Sequence, residues 1–246
     1  MQKQALQAVL NPQKDDAQYV LSVIIDRLQA QGVPLEHFSL YGDDCRLDQA
    51  IAKMRASSKK SFVISGQGFE FQFATVANHK LTSLQISQPD TTIGWDEWIS
   101  DISNFDSFVM ARTFDIDYEY WQNATSAEQY IAAGKSYKHL PLVPNGLPPP
   151  LNAMKIDISK NPGRSLLRDG YVEAVGARLW LGRRFWSLTG ADIRKISELP
   201  CLHFETMSNG TSRIETNVES FTNDENGQGE LQLKLRSLLF PAVTQA

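Results

Sequence analysis

Five prolines lie between Pro141 and Pro150, in HLPLVPNGLPPPLN, and they restrict the fold more than any other stretch of the chain. Proline lacks an amide donor and fixes its own φ, so neither a helix nor a central strand passes through such a run. The run is expected to be an extended connector between an N-terminal α+β lobe, residues 1–140, and a C-terminal lobe of similar size, residues 151–246. Alternatively it lies across one continuous domain. A length of 246 residues with 42% hydrophobic content suffices to fill a core, and 21% charged residues exclude a largely disordered chain.

Periodicity supplies the elements on either side. In DDAQYVLSVIIDRLQAQG, capping aspartates Asp15 and Asp16 precede Tyr19, Val20, Val23, Ile24 and Leu28 on one helical face, and the helix stops before Gly32. A second helix is expected over LDQAIAKMRAS. GFEFQFATV alternates Phe69, Phe71 and Phe73 with polar residues, and LTSLQIS returns after the Asn78 to Lys80 turn, which predicts a hairpin. Trp95, Trp98, Ile99 and Ile102 fit a short amphipathic helix. SFVMA and FDIDYEYW read as strands, and ATSAEQYIAAG as a helix closed by Gly134. Beyond the prolines come strands over MKIDIS and EAVGARLWLG, a helix over ADIRKISEL, a hairpin turning at Asn209 and Gly210 in a type I′ manner, and a helix over GELQLKLRSLLF. The expected class is α+β, with mixed, mostly antiparallel sheets and packed helices.

The net charge is −4, and the acidity is N-terminal: residues 1–150 hold 12 Lys and Arg against 17 Asp and Glu. Nucleic-acid binding through a broad phosphate-neutralising surface needs the opposite balance, so no direct nucleic-acid contact is expected. The small group Arg178, Arg183, Arg184, Arg194 and Lys195 is too sparse to change that. No apolar run reaches bilayer length and the first residues lack a signal-peptide core, so the expectation is a cytoplasmic protein without membrane association. Cys45 and Cys201 read as reduced thiols.

Motifs for catalysis are lacking. No nucleophile elbow, HExxH, phosphate-binding loop or CxxC occurs, and His37, His79, His139 and His203 stand apart without ligand spacing. The Gly66 to Gly68 pair precedes an alternating strand and reads as a bend. No catalytic residue, metal or cofactor is assigned. Asp115, Asp117 and Glu119 would share one face of an extended strand, and this leaves a small metal-dependent hydrolase using such acids as an alternative. Between Asp90 and Glu119 eight acids face a single Arg112. Among interleaved Trp and Tyr, the residues Asp96, Glu97, Asp101, Asp106, Asp115, Asp117 and Glu119 form the candidate partner-binding surface, with carboxylates that can stand in for phosphates toward a basic protein.

ARLWLGRRFWSLTG at 177–190, the helix ending at Leu199 and Pro200, the Asn209–Gly210 hairpin and the closing LRSLLF together resemble the C-terminal part of immunity proteins of bacterial polymorphic toxin systems, in particular the immunity protein 52 family. Trp180, Gly182, Phe185 and Leu235 carry the similarity as structural positions. The resemblance implies a protein that binds and neutralises a cognate secreted toxin, a nuclease effector of a type VI secretion or related system. A secretion adaptor or chaperone without neutralising activity is a further alternative. The oligomeric state is left open by the sequence.

Overall fold

The computed structural model describes residues 3–13, 16–57, 61–89, 93–200 and 202–241. Asp15, Asp90 and Cys201, and with them the side chain of Asp16, lie outside the described residues. The fold is α+β, organised on a ten-stranded sheet whose described pairings are antiparallel.

At the middle of that sheet is β1 (Gln4–Leu10), between β7 (Phe108–Asp115) and β6 (Leu81–Ser87). Beyond β6 follow β5 (Phe69–Val76), β4 (Phe62–Gly66), β2 (Phe38–Leu40) and β3 (Asp43–Cys45). Beyond β7 follow β12 (Arg178–Leu181), β14 (Ser212–Thr216) and β13 (Leu202–Thr206). Strands from both sides of the proline-rich stretch thus share one sheet, joined where Trp180 of β12 pairs with Ala111 of β7. The proline-rich stretch is itself a two-stranded hairpin, β8 (Leu142–Pro144) against β9 (Met154–Ile156). Another small sheet pairs β10 (Leu166–Arg168) with β11 (Tyr171–Glu173).

One face of the sheet is covered from β1 out to β4, the other around β1, β7 and β12, while β4 and β5 expose alternate residues on that second face. Leu6, Leu10, Phe71, Phe73, Leu84 and Ile86 pack under α1 (Asp16–Ala30), α2 (Leu47–Ser57) and α3 (Trp95–Ile102). On the other face, Val9, Leu179 and Leu181 meet Phe185 of α6 (Arg183–Thr189) and Leu235 and Leu239 of α8 (Gln228–Leu239). A strand buried on both faces has no polar alternation to betray it, and β1, in the sequence QALQAVL, escaped the sequence reading for that reason.

The predicted amphipathic helices, the β5–β6 hairpin and the α3 pattern stand as expected, with Trp95, Trp98, Ile99 and Ile102 all buried. Tyr19 departs from its predicted core face: it is 57% exposed, and its ring lies 4.6 Å from Phe105. Three further readings need correction. FDIDYEYW is not a strand throughout: β7 ends at Asp115, and α4 (Ile116–Asn123) begins there because the Asp115 side chain accepts from the Tyr118 amide at 2.8 Å. EAVGARLWLG is not one strand: a tight turn, with the Ala174 amide on the Val172 carbonyl at 3.0 Å, separates β11 from β12. The Asn209–Gly210 turn is not of the I′ kind, which needs positive φ at both central residues. Here φ is positive at Gly210, 83°, and not at Asn209, and Gly210 closes a four-residue turn onto the Met207 carbonyl at 2.9 Å.

Within the ARLWLGRRF stretch, Gly182 is required by a close approach. A Cβ there would lie 2.9 Å from both the Phe108 ring and the Phe108 carbonyl, closer than real Cβ contacts come. That approach lets β12 turn into α6 directly against β7.

Candidate functional site

The acidic candidates fall into two places. Asp96, Glu97 and Asp101 lie on α3, with Asp106 on the turn that follows it. Asp115, Asp117 and Glu119 lie at the far end of β7 and on α4, and eight residues of strand at ~3.3 Å each put roughly 25 Å between the two ends. The structure therefore does not assemble the seven carboxylates into one surface.

On α3 the carboxylates have cationic partners from distant elements. Asp96 accepts from the Trp180 indole at 3.1 Å and pairs with Arg213 of β14 at 3.0 Å. Arg213 also holds Glu205 at 2.8 Å and Glu215 at 2.7 Å. Burial opposes the charge of Arg213, but these acidic hydrogen bonds outweigh it and push the guanidinium pKa up, while the Arg213 contact holds the Glu205 carboxyl below its ordinary value. Arg27 of α1 reaches Glu97 at 3.1 Å and Asp101 at 2.7 Å, and Gln31 adds a bond to Glu97 at 2.8 Å. Asp106 is exposed, and its carbonyl accepts from Arg184 at 3.0 Å. The single base read from residues 90–119 was therefore a local count. Arg27 and Arg213, far away in sequence, fold onto the acidic helix, and no local pattern could have announced them.

At the other end, Asp115 is a buried helix cap, Asp117 points to solvent, and Glu119 turns back to Arg112, 2.9 Å away. Arg112 is itself buried and bound to Gln7 and Ser165. These three acids do not share a face as a strand would have arranged them. Among the described residues no three His, Cys, Asp or Glu side chains gather as a metal site would need. Cys45 is a buried free thiol whose pKa burial raises, and His203 is solvent-facing, 3.8 Å from Glu205.

Two clefts flank the C-terminal end of α3, a feature the sequence reading missed. One, about 410 Å³, opens between α1 and α3, lined by Tyr19, Val23, Ala30 and Phe105 and edged by Asp26 and the Arg27–Asp101 ion pair. The other, about 250 Å³, lies between the α3–β7 turn, the start of α6 and the β13–β14 tip, where Arg183 and Arg184 face Asp106 and Asn209. Asn104 and Phe105 line both, so the clefts are neighbours across these two residues. Asn209 fixes the junction by donating to Ser103 at 2.8 Å and to Asn104 at 3.2 Å. The tilted Tyr19–Phe105 pair, acids on one side and two arginines on the other give the clefts a mixed apolar and charged lining.

No protein-family model matches the chain, and no curated protein matches it. Among solved structures, the Pseudomonas aeruginosa T6SS protein PA0821 has a similar fold, with a TM-score of 0.55 at 11% identity, covering 97% of this chain and 73% of that one. At this identity the likeness is one of fold. No helix among the described residues is long and apolar enough to cross a membrane.

Proposed function

We propose that this protein is a non-catalytic immunity protein that binds and neutralises a cognate secreted toxin, a nuclease effector of a type VI secretion or related polymorphic toxin system. The observation that carries the reading is a fold shared along nearly the whole chain with a T6SS protein. The ARLWLGRRFWSLTG segment, which resembles the immunity protein 52 family, supports it as the β12–α6 turn at the edge of the second cleft. The two neighbouring clefts, lined by Asp101 and Asp106, together with Asp96 and Glu97 on α3, supply the toxin-facing surface. Asp115, Asp117 and Glu119 belong to this surface only in a toxin large enough to reach α4.

The test is co-expression with the product of the neighbouring gene, scoring host survival and then co-purification. A neighbour that kills alone and is silenced in a stable complex is the expected result. A harmless neighbour, or protection without any complex, overturns the reading. Within a complex, the Asp106→Lys substitution is expected to slow association by about tenfold at low salt, since it reverses an exposed charge at the cleft without disturbing an ion pair.

A further inference from the structure

Between Ala124 and Ile156 no residue is buried. This excursion contains α5 (Ala127–Ala132) and the β8–β9 hairpin, tied down at its base by the Ile156 amide on the Thr125 carbonyl and the Asp157 amide on the Pro141 carbonyl, both 2.9 Å. Its apolar side chains are nonetheless out in solvent: Leu147 is 52%, Leu151 66% and Met154 58% exposed. Directly paired residues of an antiparallel hairpin share a face, so Leu142 opposite Ile156 and Pro144 opposite Met154 form one apolar row from the buried base toward the tip. A row of this kind on an arm with no core of its own marks an interface.

Charge narrows the choice of occupant. Residues 125–155 carry Lys135, Lys138 and Lys155 against Glu128, a net +2, while the rest of the chain carries −6. An acidic body disfavours an anionic bilayer as the target. The same chain presents a complementary surface, since the α1–α3 cleft has an apolar floor and an edge on which Asp26 leaves a net negative charge beside the Arg27–Asp101 ion pair. Arm and cleft lie at opposite ends of β7: the cleft residue Phe105 just precedes the strand, and α4, leading to the arm, follows it. The arm leaves its own cleft open, with Tyr19 exposed.

We propose that the β8–β9 arm of one copy docks in the α1–α3 cleft of a second copy, and reciprocally, so that the chain forms a closed dimer. The inference stands apart from the toxin reading, because the chain is assayed alone. Sedimentation velocity of the full chain over a concentration series is expected to show a dimer that weakens at least tenfold between low and high salt. Leu147→Ser, Leu151→Ser and Met154→Ser combined, and separately Asp26→Lys, alter exposed positions and should each give a folded monomer. Mixing these two variants should restore a heterodimer, because one retains the cleft and the other the arm. A wild-type chain that stays monomeric at about 100 µM overturns the proposal, as does a dimer that neither variant weakens. A chain monomeric in solution but pelleting with phosphatidylglycerol vesicles through Leu147, Leu151 and Met154 overturns it in favour of a membrane.

Discussion

At the scale of single residues, the buried charges hold the molecule together. Glu173, with its side chain nearly inaccessible, receives Arg236 at 2.7 Å and Arg168 at 2.7 Å, and thereby ties α8 to the β10–β11 hairpin. Burial depresses the Arg236 pKa to about 10, against the pull of Glu173, so the ion pair fixes position at a cost in desolvation. Tyr118 has the opposite linkage. Burial raises its phenol from 10.0 to about 12, outweighing the hydrogen bond from Gln232 at 3.0 Å. Above pH 10 the unfolded chain releases this proton while the folded chain retains it, so stability that is complete below pH 10 is lost as the pH climbs toward 12. Arg236, whose depressed pKa adds stability over the same range, opposes that loss, so the expected reading is a difference: in urea titrations from pH 9 upward the parent chain should lose stability relative to Tyr118→Phe. A slope unchanged in Tyr118→Phe would show that the phenol ionises equally in both states.

Elements owe their placement to a few close approaches. Gly182 sets β12 against β7, and a Cβ there meets a backbone carbonyl that cannot move aside as a flexible side chain could. Gly182→Ala is therefore expected to cost about 1–3 kcal/mol in urea unfolding, with the β12–β7 amides losing hydrogen-exchange protection first. A variant as stable as the parent would place the backbone approach elsewhere. Much at this scale was legible in the sequence: α2 matches the predicted segment residue for residue, and the Phe69, Phe71 and Phe73 alternation became β5. What escaped had physical reasons. β1 shows no alternation because both its faces are covered, and Asp115 reads as a strand residue until its side chain is seen capping α4. The candidate site was half legible. Asp101 and Asp106 each line one of two neighbouring clefts and Asp96 and Glu97 line neither, while Arg27 and Arg213 arrive from elements 70 or more residues away in the chain. A charge count over a sequence window is blind to such partners.

At the scale of the whole molecule, the two proposals place two partners on one cleft. Asp101 and Phe105 line the pocket proposed for the arm of a second copy, and they also border the surface proposed for the toxin. Two ligands that compete for one site are linked: each lowers the apparent affinity of the other by the fraction of sites it occupies. Toxin added to the dimer should therefore break it into complexes of one chain with one toxin. The apparent toxin affinity should fall severalfold as the total concentration of the chain rises above its self-dissociation constant. The Leu147, Leu151 and Met154 serine variant, with its cleft permanently open, should bind toxin with no such concentration dependence. Sedimentation velocity across a dilution series separates the outcomes, since a complex of two chains with two toxins would place the toxin away from Phe105 and leave the arm docked. Under the two proposals the exposed arm has a physical rationale in the free protein: with its own apolar row and the cleft both covered in a dimer, neither surface would be left open to indiscriminate association before a toxin binds.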